Sequence, residues 1–132
     1  MYNVVKESLD KNKLSFNIHE ALEYFGGNNK LSLDIYNEFI NSYCDNFKNL
    51  DLILTEHLNN NNFNEITNII HKIKGLAIYT GFNLFYQYSF YLYQKYLNND
   101  FDNLNNEIKL LIKLNKEIIE RSKNEKRTIN YK

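Results

Sequence analysis

The segment FNEITNIIHKIKGLAIYT, residues 63–80, brings together an imidazole, an ammonium group and a glycine. Lys74 and Gly75 follow His71 by three and four residues, and these spacings make neighbours on one face of an α-helix. An accessible imidazole is largely an unprotonated nucleophile near neutral pH, and a nearby cation can partly neutralise a phosphoryl group attached to it. These residue types at this spacing therefore favour a site that carries a phosphoryl group on nitrogen.

The same segment has an apolar stripe that should face the protein core. Six side chains fall within an arc of about 100° on a helical projection. They are Ile66, Ile69, Ile70, Ile73, Ala77 and Thr80. His71 points about 150° away from the middle of that arc, which predicts a solvent-exposed imidazole flanked by Lys74 and Gly75.

Gly75 is unexpected in the interior of such a helix. A glycine there costs about 1 kcal/mol relative to alanine, and an exposed position offers it no packing role. One explanation is that another group must approach the backbone closely at this point, one turn from the imidazole. Gly75 is therefore predicted to provide steric clearance beside His71.

Residues 63–80 must be held in place by other helices. The sequence predicts further helical segments, which are separated from one another by Asn-rich or Gly-rich turns. They span residues 18–25, 32–47, 49–58, 83–97 and 101–122. Ser32 is predicted to cap the second of these helices, and Asn62 with Glu65 to cap the helix at residue 63. Gly81 is predicted to end that helix. Short connections favour antiparallel neighbours, so the predicted fold is all-α: an antiparallel up-and-down four-helix bundle with a short additional N-terminal helix.

Length and composition favour one domain, residues 1–132, with the bundle at about 16–122 and a polar C-terminal tail at about 123–132. Sixteen basic residues balance sixteen acidic ones, so a basic surface for nucleic acid is not indicated. No apolar run is long enough for a membrane span or a signal peptide, and the single cysteine cannot form an internal disulfide. We therefore expect a cytoplasmic monomer with no nucleic-acid or membrane partner.

The stretch HKIKGLAIYTGFNLF resembles the signature of the histidine-containing phosphotransfer (HPt) domain family. That signature reads H-x-x-K-G, five variable residues, a second glycine, and a hydrophobic residue three positions further on. The matching positions here are His71, Lys74, Gly75, Gly81 and Leu84. With the upstream segment IHEALEYFGGN, the resemblance covers roughly residues 16–120.

The resemblance implies a bundle that accepts a phosphoryl group from an aspartate of one response-regulator receiver domain and passes it to another. It implies that Nε2 of His71 carries the group and that Lys74 stabilises it. Receiver domains and a hybrid sensor histidine kinase are the expected partners. The chain should need no cofactor of its own, with Mg²⁺ expected on the receiver domain. Candidate partner-binding residues on the same helix are Thr67, Asn68 and Ile78.

Two positions depart from the family pattern. Leu76 follows the signature glycine, where many members have a small or hydroxylated residue. Phe90 and Tyr93 lie in the region where some members place a polar side chain near the phosphoryl group. The aromatic residues of segment 83–97 are either tolerated on the surface or part of a docking surface, and the outward position of Ile78 favours docking.

Two other functions remain open on the sequence. The chain could be an adaptor that binds receiver domains without transfer, or a purely structural helical bundle. An autonomous kinase is disfavoured because no glycine-rich phosphate-binding loop is present. A metal site is also disfavoured, since His19, His57 and His71 lie on three segments without companions at ligand spacing.

Overall fold

The computed structural model describes residues 1–124, which form seven α-helices joined by short turns. In chain order, the helices are α1 (Tyr2–Asp10), α2 (Ile18–Glu23), α3 (Lys30–Phe47), α4 (Leu50–Asn59), α5 (Phe63–Ala77), α6 (Asn83–Leu97) and α7 (Leu104–Asn124). A 3₁₀ turn, Ile78–Thr80, directly continues α5. The predicted all-α fold class is confirmed for this part of the chain.

One apolar core joins all seven helices. Each helix contributes at least one side chain with no exposed surface, for example Val5, Leu22, Ile40, Leu54, Ile70, Phe85 and Ile118 in helix order. Helix α7 lies against α1, α3, α4 and α6, whereas α5 has its most extensive contact with α6. The pairing of α5 with α6 creates the surface on which His71 lies.

Buried tyrosine hydroxyls tie α3 to its neighbours. The Tyr36 hydroxyl donates to the carbonyl of Thr80 at 2.6 Å, and the Tyr43 hydroxyl donates to Oδ1 of Asn115 at 2.7 Å. The amide of Asn115 in turn donates to the carbonyl of Phe47 at 3.1 Å. Such bonds satisfy polar groups that would otherwise be buried unpaired, and they fix α3 against α7 and against the end of α5.

Gly81 ends the 3₁₀ turn in a left-handed conformation, with φ +86°. Its carbonyl accepts a hydrogen bond from the backbone N–H of Asn17 at 2.9 Å. A Cβ at this position would lie only 3.1 Å from the Asn17 carbonyl oxygen. Both the positive φ and the close approach favour glycine. The predicted break at Gly81 is confirmed, although the α-helical part of the segment ends earlier, at Ala77.

Two predicted caps are wrong. Helix α3 begins at Lys30 instead of residue 32, and the side chain of Asn29 caps it by accepting from the backbone N–H of Ser32 at 2.9 Å. Ser32 itself is buried, and its hydroxyl donates to the carbonyl of Phe25. Asn62 stands at the N-cap position of α5 but makes no capping hydrogen bond, and its amide nitrogen lies 3.1 Å from Nδ1 of His57.

The two ends of the chain also differ from the prediction. Helix α1 has no counterpart among the predicted helices, yet Val5 is fully buried and Tyr2 and Leu9 pack beside it on one stripe. Helix α7 begins at Leu104, three residues later than predicted, and continues to Asn124. The predicted polar tail therefore starts too early, and its remainder, residues 125–132, lies outside the described residues. Within residues 1–124, no helix has both the length and the apolarity that a bilayer-spanning segment needs.

Candidate functional site

Helix α5 turns one face to the core and the other to solvent. Five of the six predicted stripe residues are buried and the sixth, Ile69, is half-buried. His71 is exposed, as the helical periodicity predicts, and Gly75 is exposed one turn later. Because Ile70 and Ile73 are completely buried on either side of His71 in sequence, the helix cannot rotate without exposing apolar surface. The outward position of the imidazole is thus set by the core.

The exposed imidazole lies flat against an aromatic ring of the next helix. The ring centroids of His71 and Tyr93 are 4.8 Å apart, and the ring planes differ by only 10°. Offset stacking at this distance is a favourable arrangement of aromatic rings. One face of the imidazole is therefore covered, while the edge that carries the ring nitrogens is not part of the stack.

Lys74 meets the same tyrosine. Its Nζ lies 4.8 Å from the centroid of Tyr93 and 5.7 Å from that of Phe90. Both distances are within the range of cation–π attraction. The ammonium group is consequently held against α6, and its ring partner Tyr93 is the one that also stacks on the imidazole.

The backbone beside His71 is open. A Cβ built on Gly75 would meet no atom within 4 Å, so packing within the described residues does not require glycine there. A shallow groove of about 560 Å³ runs past this point, lined by Asn46, Phe47, His71, Lys72, Gly75 and Leu76. The position therefore has room for an approaching group, and steric clearance beside His71 stays a prediction.

The three histidines differ in their hydrogen bonding. Nδ1 of His19 is 3.0 Å from Oδ1 of Asn28, and Nδ1 of His57 is 3.1 Å from the amide nitrogen of Asn62. No hydrogen bond joins the His71 imidazole to another group within residues 1–124. His71 is the histidine whose ring nitrogens are both available to an external group.

No family model, curated protein or solved structure matches this chain. The chemistry of the site must therefore be argued from its own residues. In the part of the chain that the structure describes, no three His, Cys, Asp or Glu side chains converge in a way that could hold a metal ion. The reactive groups present are the imidazole and the ammonium group.

The candidate partner-binding residues lie along the same helix and its extension. Asn68 is exposed one turn before His71, and Thr67 is half-buried with its hydroxyl donating to the carbonyl of Phe63 at 2.9 Å. Ile78 is half-buried in the 3₁₀ turn, two turns beyond His71. Only Asn68 is therefore fully free to meet a partner, whereas Thr67 and Ile78 present part of their surface.

Most aromatic residues of α6 turn out to be packed. Phe85, Tyr88 and Tyr96 are buried because α6 contacts α1, α5 and α7, and Phe90 is the exposed member, at 41%. Phe90 also lines an apolar groove with Met1, Tyr86, Gln87, Tyr91 and Gln94. The exposed aromatic surface is thus small and adjoins Lys74.

The resemblance placed Tyr93 near the expected phosphoryl group, but the stacking of its ring on His71 was not predicted, although a signal for it exists. His71 lies ten residues before Gly81 and Tyr93 lies twelve residues after it. Antiparallel helices joined by a tight turn pair residues that are nearly equidistant from that turn. Applying this rule to α5 and α6 would have placed a ring of α6 beside the imidazole.

A second polar cluster that the sequence did not reveal braces α6 against α7. The fully buried carboxylate of Glu107 accepts from Nζ of Lys95 at 3.0 Å and from the Tyr96 hydroxyl at 3.3 Å. The pKa of Lys95 is raised overall. Burial alone would lower it, but the hydrogen bond to Glu107 and the negative charge of that carboxylate have the larger combined effect. Burial, reinforced by the same carboxylate, raises the pKa of Tyr96. The cluster stabilises the helix that carries Tyr93.

Proposed function

We propose that this protein is a histidine phosphotransfer protein of a two-component phosphorelay, with His71 as the phosphoryl acceptor. The observation that carries the proposal is the composition of the site. An exposed imidazole, without hydrogen bonds to other groups of residues 1–124, shares the Tyr93 ring with an ammonium group and lies one turn from a backbone position free of side-chain atoms. In keeping with this role, we interpret α3 with α4, α5, α6 and α7 as an antiparallel four-helix bundle, with α1 and α2 as additions.

In the proposed loading step, Nε2 of His71 attacks the phosphorus of an aspartyl phosphate on a receiver domain. The N–P bond forms while the bond from phosphorus to the aspartate oxygen breaks, and its electron pair leaves with the aspartate carboxylate. No electron is gained or lost overall. The step reverses when the aspartate of a second receiver domain attacks the same phosphorus. Such transfer depends mainly on positioning and charge stabilisation, so this chain needs to supply few groups.

Lys74 would move from the aromatic rings to the phosphoryl group. A cation–π contact at an exposed site is worth about 0.5–1 kcal/mol. A hydrogen bond to a charged group contributes about 1.5–3 kcal/mol, so the phosphoryl oxygens are the stronger partner. The resting contact with Tyr93 and Phe90 therefore keeps the ammonium close by without trapping it.

Gly75 and the neighbouring groove would accept the receiver domain. The groove beside Gly75 includes the apolar side chains of Phe47 and Leu76, and the exposed Phe90 flanks the opposite side of the site. Asn68 lies within one turn of His71 on the same face. We propose that a receiver domain contacts these surfaces, with smaller contributions from Thr67 and Ile78.

The proposal also defines where the protein works and with what. The phosphoryl group would originate from a hybrid sensor histidine kinase and reach this chain through a receiver domain in the cytoplasm. The Mg²⁺ that assists aspartyl phosphate chemistry would belong to the receiver domain. The chain would act as a monomeric carrier, not as an autonomous enzyme.

The deciding experiment is incubation with radiolabelled, phosphorylated receiver domains from the source organism. We expect acid-labile, base-stable label on the wild-type protein and none on His71→Gln. The matched controls are His19→Gln and His57→Gln, which should accept label at the wild-type rate. Receiver binding without label would instead indicate an adaptor, and neither binding nor label would indicate a structural bundle. Either result would contradict the proposal.

A further inference from the structure

The ring of Tyr93 is shared by the two reactive groups of the site. It stacks on the imidazole of His71 and lies under the ammonium group of Lys74, with both the imidazole centroid and Nζ 4.8 Å from its centroid. We propose that Tyr93 is a positioning residue that holds His71 and Lys74 in their working arrangement through the face of its ring. The inference rests on the proposed function, because the arrangement matters only if His71 accepts a phosphoryl group.

The stack restricts the imidazole without blocking it. The lone pair of an unprotonated ring nitrogen lies in the plane of the imidazole, whereas Tyr93 covers a face of that ring. Because the two planes are within 10° of parallel, Tyr93 does not occupy the direction from which a phosphorus atom must approach. The side chain of His71 loses rotational freedom, and the approach to the nitrogens stays open. This is the condition under which positioning accelerates a transfer.

The same ring also attracts the charged group of the site, whose Nζ lies 4.8 Å from its centroid. The face of a tyrosine ring is electron-rich and attracts an ammonium group. Phe90, one turn earlier on α6, offers Lys74 a second and more distant ring. The lysine is thus held against the ring that also stacks on the imidazole, and no hydrogen bond joins the two side chains within residues 1–124.

Tyr93 can act in this way because its own helix is firmly held. Tyr96, one turn later, is buried and bonded to Glu107, and Ser89, one turn earlier, is buried with its hydroxyl on the carbonyl of Phe85. Lys95 adds an ion pair to the same carboxylate. The ring that supports the site is therefore attached to a part of α6 that buried hydrogen bonds and an ion pair hold in place.

The test compares Tyr93→Leu with Tyr93→Phe, which keeps the ring and removes the hydroxyl. Tyr91→Leu is the matched control, since Tyr91 is a half-buried tyrosine of the same helix that stacks on Tyr88 and not on His71. Tyr93→Gln is a second ring-deleting variant in case leucine disturbs folding. Two quantities are measured on each folded protein: the ring-current shifts of the His71 imidazole protons, and the rate of phosphorylation of His71 by phosphoramidate.

We expect wild type, Tyr93→Phe and Tyr91→Leu to share the ring-current shifts and the rate. Tyr93→Leu and Tyr93→Gln should lose the shifts and react about tenfold more slowly, because the imidazole is no longer held. Unchanged shifts or rates in the ring-deleting variants would overturn the proposal. So would equal losses in Tyr93→Phe, which would assign the effect to the hydroxyl, or in Tyr91→Leu, which would indicate general loosening of α6.

The small phosphodonor separates this inference from the proposed function. Phosphoramidate needs no docking surface, so its reaction reports on the imidazole and its surroundings alone. If receiver domains fail to label the protein but the ring-dependent differences appear, the phosphorelay function is wrong and the positioning by Tyr93 stands. If receivers label wild type and Tyr93→Leu at the same rate, and phosphoramidate does likewise, the function stands and the positioning role is wrong.

Discussion

The imidazole of His71 and the phenol ring of Tyr93 lie nearly parallel, 4.8 Å apart between centroids, and join α5 to α6 at the protein surface. The neighbouring residues Ile70 and Leu92 are fully buried, whereas His71 is exposed and Tyr93 is half-buried. The stack therefore lies at the surface of this helix pair, above its buried residues. Changes at the site should affect its chemistry more than the fold.

Replacement of His71 by glutamine should separate function from stability. An exposed side chain contributes little to folding, and surface substitutions usually change stability by no more than about 0.5 kcal/mol. We therefore expect His71→Gln to unfold at nearly the wild-type urea concentration while accepting no phosphate from receiver domains. A loss of stability above about 2 kcal/mol, well outside the usual surface range, would show that the imidazole has a role in folding.

Replacement of Lys74 by alanine should weaken the phosphorylated state without preventing partner binding. The substitution removes the cation that would neutralise the phosphoryl group but little contact area. We expect slower transfer or a shorter phosphohistidine half-life, with receiver affinity close to that of wild type. Lys109→Ala is the control, because Lys109 is an exposed lysine of α7 that does not line the groove beside His71. If both substitutions changed the transfer rate and the phosphohistidine half-life equally, Lys74 would have no specific role beyond that of any surface lysine.

Gly75 should show opposite effects on stability and transfer. An added Cβ meets nothing within 4 Å, so Gly75→Ala should raise the free energy of unfolding by somewhat less than about 1 kcal/mol through helix propensity. The same methyl group should impair phosphate uptake, and Gly75→Gln should impair it more. Melting temperature and phosphate uptake measured on these proteins check the prediction. Full activity of the glutamine variant would remove the explanation for the glycine.

Gly81 should respond in the opposite way to the same substitution. Its φ of +86° and the Asn17 carbonyl oxygen 3.1 Å from a built Cβ leave no relaxed position for a side chain. A left-handed conformation alone costs an L-residue about 1–2 kcal/mol. Gly81→Ala should therefore lower the free energy of unfolding by at least that amount, as measured in urea. Comparison with Gly75→Ala distinguishes a glycine required by the backbone from one that the fold does not require.

The ion pair of Lys95 and Glu107 should be strongly coupled in stability. Lys95→Met leaves the fully buried carboxylate without its partner, and breaking such a pair costs about 3–5 kcal/mol. The double variant Lys95→Met with Glu107→Gln should recover a large part of the loss. Additive effects of the two changes in urea unfolding would contradict this coupling.

The same pair predicts a direction of pH dependence. The folded protein raises the pKa of Lys95, so its contribution to stability is complete below the ordinary lysine pKa and is lost as the pH rises through the raised value. Wild-type stability should therefore fall in alkaline solution more than that of Lys95→Met. Parallel pH profiles of the two proteins would show that the lysine charge has no such effect.

The sequence predicted those features that depend on local periodicity. The apolar stripe of residues 63–80 repeats regularly enough to place Ile73 inside and His71 outside, and the structure agrees. The segment 83–97 is likewise bounded by turn residues and matches α6. These features need only the geometry of a single helix, which is the same in every protein.

The features that the sequence did not predict are of two kinds. Some depend on contacts between residues distant in sequence, and others on which of two neighbouring side chains makes a given hydrogen bond. Asn29 and Ser32 could each cap α3, and the hydroxyl of Ser32 instead bonds to a carbonyl seven residues earlier. Glu107 lies within an apolar stripe of α7, but its partner Lys95 is on another helix. To predict that Tyr93 stacks on His71, one likewise needs the relative register of α5 and α6. Periodicity within one helix contains none of this information.

The absence of hydrogen bonds to His71 within residues 1–124 leaves its tautomeric state undetermined by the fold. A neutral imidazole has its proton on Nδ1 or on Nε2, and only the Nδ1–H tautomer presents a lone pair on Nε2. In many proteins a carbonyl or carboxylate fixes this choice in advance. In the proposed relay, an acceptor group of the docking partner that binds Nδ1–H would therefore present the Nε2 lone pair to the phosphorus atom.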